Sequence, residues 1–197
     1  MSKASKNTSH RKLFTVGSDA PFQFVEAYKS LRTNLQFCGE DKKVIAVTSC
    51  TPNEGKSSVS MQLGISLAES GKRVILIDAD LRKSVLLGRT KTQKSVRGLA
   101  HFLSGQATLE DVICSTNVKN FYMIYSGPFP PNPAELLGGK NFRSLLNALR
   151  KVYDYVIVDT PPLGSVIDSA IVAEICDGSI MVIESGVISY RFAQEVK

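Results

Sequence analysis

The chain has 197 residues, 43% of them hydrophobic and 21% charged, which suits one domain with a sizeable core and excludes a disordered or low-complexity protein. Its longest apolar runs, such as Val74–Ile77 and Ile180–Ile183, fall far short of the roughly 20 residues that cross a bilayer, and no secretory apolar segment follows the basic start. A cytoplasmic protein is therefore expected. Cys38, Cys50, Cys114 and Cys176 stand apart with no CxxC or Cys/His pair, so they read as reduced thiols rather than as a disulfide framework or zinc site.

The net charge of +6 is local. Lys3, Lys6, Arg11 and Lys12 fall within residues 1–13, and Arg82, Lys83, Arg89, Lys91, Lys94 and Arg97 within residues 82–97, both stretches lacking any acid. Neither interleaves aromatic with basic residues, and no nucleic-acid module is recognisable, so no specific nucleic-acid partner is predicted. Residues 1–20 read as a flexible basic arm ahead of one domain over 21–197. The run after Arg82 reads equally as a solvated loop or as an attractor for an acidic or phosphorylated segment.

In chain order, Pro21 opens a stretch to Phe37 in which Phe24, Tyr28, Leu31 and Leu35 recur at helical spacing, predicting an amphipathic helix. A buried strand over Lys43–Ser49 leads into a loop with Pro52 and Gly55, then a helix from Ser57 to Ser70 closed by Gly71. Arg73–Asp78, Phe121–Tyr125, Tyr155–Asp159 and Ser179–Glu184 read as further strands. Asn132 as N-cap, Pro133 at the first helical position and Glu135 two residues on predict a helix over Pro133–Lys151. Buried strands alternating with helices mean an α/β fold, with a mainly parallel central sheet flanked by helices and ligands at the carboxyl ends of the strands.

Residues Cys50–Ser57 match the phosphate-loop pattern of a P-loop NTPase fold, except that Cys50 stands where the first glycine usually does. A loop that feeds a helix N-terminus offers backbone N–H groups to phosphate oxygens. Here Pro52, Asn53, Glu54, Gly55, Lys56, Ser57 and Ser58 form the candidate cradle. Lys56 would reach the terminal phosphates and the Ser57 hydroxyl would ligate magnesium. Asp159, ending a strand, fits the aspartate that holds the metal directly or through water. Asp78 and Asp80 end another strand as two carboxylates beside the expected triphosphate, a pair suited to metal coordination and to accepting a proton from an attacking hydroxyl.

Together these residues resemble the bacterial tyrosine kinases, phosphate-loop enzymes that govern capsule and exopolysaccharide synthesis. The resemblance runs through Glu26–Asn34, the phosphate loop, Asp78–Arg82, Gly98–Gly105, Ser126–Gly127, Asn132–Leu137 and Asp154–Pro162. It is strongest with stand-alone kinases of Gram-positive capsule systems, in which a separate membrane adaptor supplies the activating segment. The resemblance implies an autophosphorylating protein-tyrosine kinase that uses ATP and Mg2+, with Lys56, Asp78, Asp80 and Asp159 as catalytic residues and Ser57, Asp78 and Asp159 at the metal. It also implies a homo-oligomer through the N-terminal helix and a transmembrane adaptor that recruits the cytoplasmic chain to the inner face of the membrane.

Glu26, Lys29 and Arg32 fall on the family's Glu-x-x-Arg-x-x-Arg oligomer motif, with spacings that place them along one helix face. Lys29 replaces the first arginine and lacks its planar fork. Ser84 stands where the family commonly has proline, and the family's terminal strand, helix and tyrosine cluster do not appear by Lys197, so a domain shortened at its C-terminus is expected. Two rival readings remain at this level. A partition or site-positioning ATPase of the same branch would carry a lysine where Thr51 stands, and a non-catalytic nucleotide-binding module would keep the same motifs without turnover.

Overall fold

In the computed structural model, residues 22–90 and 96–196 are described. The expected basic arm over 1–20, with Lys91 and Lys94 of the second basic run, lies outside the described residues. Six strands form one sheet: β1 (Val44–Ser49), β2 (Val74–Asp78), β3 (Ile113–Ser115), β4 (Phe121–Ile124), β5 (Tyr155–Asp159) and β6 (Gly178–Val182). Their spatial order is β3-β4-β2-β5-β1-β6. All neighbours run parallel except the β3–β4 pair at one edge.

Every residue of β1, β2 and β5 is buried. Successive side chains of a strand point to opposite faces, and the core divides accordingly. Val44, Ala46, Ile75, Ile77, Val156 and Val158 pack with Phe142, Leu145 and Leu149 of α7 (Lys140–Leu149). Ile45, Val47, Val74, Leu76 and Ile157 pack on the other face with Met61, Leu63 and Leu67 of α2 (Lys56–Glu69). Helix α1 (Phe22–Phe37) lies on that second side and buries only Leu35 among its described residues.

Four features depart from the sequence reading. The helix over Pro133–Lys151 is two helices, α6 (Pro133–Gly138) and α7, because Gly139 between them is extended at φ −74 and ψ 162. Asn132 does not cap by bonding a backbone N–H; its amide donates to Glu135 Oε2 at 2.8 Å. The antiparallel edge strand β3 is too short to carry a periodic signal. Short helices not anticipated are α3 (Leu86–Arg89), α4 (Leu99–Leu103), α5 (Leu109–Val112), α8 (Asp168–Glu174) and α9 (Tyr190–Val196). Among the described residues no helix is long and apolar enough to cross a membrane.

Candidate functional site: a phosphate loop facing three carboxylates

Strands β2, β5 and β1 lie side by side, and their register sets Asp78 opposite Asp159 and Asp159 opposite Val47. Parallel pairing therefore delivers two carboxylates and the start of the phosphate loop to one edge of the sheet. The loop turns into α2 through two left-handed residues, Asn53 at φ 70 and Gly55 at φ 86. Asparagine tolerates that region and glycine enters it freely. Cys50 is not left-handed, so its position does not demand glycine, and its buried Sγ lies 3.7 Å from Met181 Sδ.

Glu54 turns inward. Its carboxylate accepts from the Thr51 N–H at 2.7 Å and the Glu184 N–H at 3.4 Å, bracing the loop against the end of β6. Of the expected cradle, Glu54 therefore offers a ligand its backbone and not its side chain. The Ser58 hydroxyl accepts a hydrogen bond from the Arg89 guanidinium.

Lys56 is only 9% exposed, and its Nζ lies 3.5 Å from Asp159 Oδ2 and 3.7 Å from Asp80 Oδ2. The Ser57 hydroxyl donates to Asp159 Oδ2 at 2.6 Å, and Ser60, one turn after Lys56 on α2, donates to Asp159 Oδ1 at 2.9 Å. Just past the neighbouring strand β2, Asp80 Oδ1 accepts the N–H groups of Lys83 at 2.9 Å and Arg82 at 3.2 Å, leaving Oδ2 toward Lys56. Asp78 accepts from the Ser84 hydroxyl on Oδ2, while its buried Oδ1 has no hydrogen-bond partner.

Burial pushes the Asp78 carboxyl up to about 7, with the Asp159 charge adding to the rise and the Ser84 bond opposing it. Asp159 is also raised, chiefly by burial, against the pull of Lys56, Ser57 and Ser60. Three carboxylates thus face one ammonium, and one carboxylate oxygen is left orphaned. That excess of hard oxygen and negative charge fits a divalent cation such as Mg2+. Among the described residues no group of three or more His, Cys, Asp or Glu makes a metal cage alone. This suits Mg2+, which usually takes one or two carboxylates and completes its shell with water and substrate phosphates.

A cavity of about 290 Å³ opens between the phosphate loop and the segments that follow β2 and β5. Those two segments are clasped by a forked pair: Arg82 Nε donates to Asp168 Oδ2 at 2.8 Å and its Nη2 to Oδ1 at 2.9 Å, with Asp168 wholly buried at the start of α8. The segment after β5 also meets the start of the phosphate loop, because the Gly164 N–H donates to Cys50 O at 3.2 Å. A Cβ at Gly164 would stand 2.5 Å from that carbonyl oxygen, so backbone must shift. Gly164→Ala is expected to lower stability by about 1–3 kcal/mol and to weaken ADP binding, measured by thermal denaturation with and without nucleotide. Unchanged melting in both conditions would mean that the two loops separate freely.

The structure brings Lys56, Ser57, Asp78, Asp80 and Asp159 together as expected, with Pro52, Asn53 and Gly55 lining the same cavity. Glu26, Lys29 and Arg32 lie elsewhere. Lys29 pairs with Glu26 at 2.8 Å within α1, whereas Arg32 donates to Ser66 O at 2.8 Å, toward the opposite end of α2 from the phosphate loop. Sequence reasoning missed Ser60, Ser84 and the Arg82–Asp168 clasp. Ser60 is legible as the residue one helical turn beyond Lys56. The clasp joins residues 86 positions apart and leaves no local signal.

A family described as an AAA domain matches residues 42–191. Tyrosine-protein kinase CpsD of Streptococcus agalactiae serotype III (strain NEM316) is 44% identical over 172 residues, covering 87% of this chain and 74% of that protein. Tyrosine-protein kinase YwqD of Bacillus subtilis (strain 168) is 39% identical over 174 residues, 87% of this chain and 73% of that protein. Among solved structures, the kinase domain of the Escherichia coli tyrosine kinase ETK superposes with a TM-score of 0.82 at 36% identity, covering 87% of this chain and 68% of that one.

Proposed function

The chain belongs to the bacterial tyrosine-protein kinases, transferases of capsule and exopolysaccharide systems, and from that premise we propose how its own residues move a phosphoryl group from ATP to tyrosine. The observation that carries the reading is that Asp80 and Asp159 both lie within 4 Å of the Lys56 ammonium, at the cavity that Lys56 and Asp80 line. ATP phosphates lie along Cys50–Ser58, where backbone N–H groups and the N-terminus of α2 receive them. Lys56 exchanges its carboxylate partners for the terminal phosphates, a short move because its ammonium already sits at the floor of the loop.

Ser57 and Asp159, with Asp78 beside them, hold Mg2+. When bound, magnesium offsets the charge on the transferring phosphoryl group and orients it. Asp80 is the proton acceptor. Two backbone N–H groups fix its Oδ1, so Oδ2 keeps one direction, and the tyrosine hydroxyl gives its proton there as the phosphoryl group departs from ADP. The Arg82–Asp168 clasp keeps the turn that carries Asp80 in place.

Assembly is proposed through α1. Phe22 is exposed at its start, and Phe24 and Tyr28 pack edge to face at 4.8 Å on a helix that buries little else. Glu26 and Lys29 can exchange their mutual pair for partners on a second copy, while Arg32 anchors α1 to its own α2. A transmembrane adaptor of polysaccharide export recruits the chain to the inner face of the membrane. The catalytic assignment is tested with Asp80→Asn. Transfer to a supplied tyrosine-rich peptide should fall by about a hundredfold or more while ADP affinity is retained, and unchanged transfer would overturn it.

A further inference from the structure

We propose that the apolar slot on the far side of the phosphate cavity, formed by Val85, Pro161, Pro162 and Val166, seats the acceptor tyrosine ring, and that Lys83 beside it selects acceptors with acidic residues next to that tyrosine. The inference rests on the kinase reading and names its acceptor class. It begins from a mismatch within one cavity. Gly55, Lys56 and Ser57 present N–H, ammonium and hydroxyl groups suited to phosphate, yet the segments after β2 and β5 add two valines and two prolines to the same lining, beside the polar Asp80, Arg82, Lys83, Arg89 and Ser165. Phosphate oxygens gain nothing from an apolar wall, whereas an aromatic ring does.

The apolar character continues outward on the same two segments. Val85 and Leu87 after β2, and Ile167 after β5, are all exposed large hydrophobic residues. The slot is also held open without a ligand. Arg82 and Asp168 tie its two walls together, Leu86 next to Val85 in the chain is wholly buried, and Tyr125 Oη donates to Thr90 Oγ1 at 2.9 Å just beyond α3. A ring entering between fixed walls loses less freedom than one that must first order a loop.

Charge gives the second half of the inference. Among the described residues Asp80 is the one acidic residue that lines the cavity, and Asp168 neutralises Arg82. Among the described residues no carboxylate lies within ion-pair distance of Lys83 or Arg89, which both line the rim; the Arg89 guanidinium meets only the neutral Ser58 hydroxyl. An acceptor with Asp or Glu beside its tyrosine meets complementary charge at this rim, and one flanked by lysine meets repulsion.

The test measures binding of fluorescent tyrosine peptides to the full chain with saturating Mg-ADP, so that it does not depend on turnover. The peptide with acidic flanks should bind about tenfold tighter than its lysine-flanked counterpart, and Lys83→Glu should abolish or reverse that preference. Val166→Asp, and independently the more exposed Val85→Asp, should weaken the acidic peptide about tenfold while ADP affinity stays within about twofold. Equal binding of both peptides, or peptide binding indifferent to both valine variants, overturns the proposal. A parallel loss of ADP affinity also overturns it, because the slot would then belong to the nucleotide. A peptide that binds as described but receives no phosphoryl group from ATP would leave the slot standing and overturn the catalytic reading instead.

Discussion

Replacing Lys56 by methionine is expected to abolish phosphoryl transfer and to destabilise the nucleotide-free chain far more at pH 8 than at pH 5. Methionine keeps the length of the stem and removes the ammonium that, among the described residues, faces Asp78, Asp80 and Asp159. Breaking a buried ion pair from one side costs about 3–5 kcal/mol, because the remaining charge stays buried and unpaired. At pH 5 the cost is smaller, since Asp78 titrates at about 7 and Asp159 is also raised, so protonation relieves the repulsion. Transfer should drop by about a hundred- to a thousandfold, the usual effect of removing one preorganised contact to developing charge. Thermal midpoints at the two pH values, with labelled ATP for transfer, check both parts. An equal drop in midpoint at pH 5 and pH 8 would mean that the three carboxylates do not share the lysine.

Asp78→Asn should have the opposite effect on stability and the same effect on activity. In the folded chain Asp78 titrates at about 7 against an ordinary 3.8, so the folded state holds a proton that the unfolded state has already lost. The stability linked to that proton is fully present below about pH 4 and is lost as pH rises through about 7. Linkage across this interval sets a ceiling of about 4 kcal/mol, part of which local relaxation recovers. Asparagine keeps an acceptor for the Ser84 hydroxyl and never ionises, so the variant should gain about 2 kcal/mol at pH 8, a rise of roughly 4–8 °C. Its midpoint should also lose most of the decline between pH 5 and pH 8. Mg-ADP should protect the parent chain more than the variant, and transfer should fail. The same pH slope in both proteins would sink the account of Asp78 as a buried, shared-proton carboxylate.

Both expectations depend on residues that were visible before any fold was known. Strands such as Val44–Ser49 and Tyr155–Asp159 are buried on both faces, so each reads as an unbroken apolar run, and the phosphate loop between strand and helix marks its own location. What stayed hidden is of three physical kinds. Gly139 sits inside a helical pattern that continues on both sides, and only its extended backbone reveals the break. Ile113–Ser115 is too short for alternation to distinguish it from a loop. The contacts that tune the site are set by topology: Arg82 meets Asp168 because β2 and β5 are neighbours, and Ser84 reaches Asp78 because the intervening turn folds back over Asp80. In the sequence Ser84 stands out only as a departure from a family proline, and the fold gives its hydroxyl the buried Asp78 carboxylate to hold.

The order of strands also governs when this site can exist during synthesis. Among the described strands β1, which launches the phosphate loop, pairs with β5 and β6, whose residues are made more than 100 positions after it. By contrast, β3 and β4 can pair as soon as a short connection leaves the ribosome. Pairing distant segments carries a loop-closure cost that local contacts avoid. Local pairing thus favours the β3–β4 edge, while β1 waits for neighbours that follow it at long range. A nascent chain halted before residue 155 already contains Lys56, Asp78 and Asp80, yet has no place to mount the loop beside them. Nucleotide thus meets this site only once β5 has emerged, and until then Ile45 and Val47 lack their strand partners.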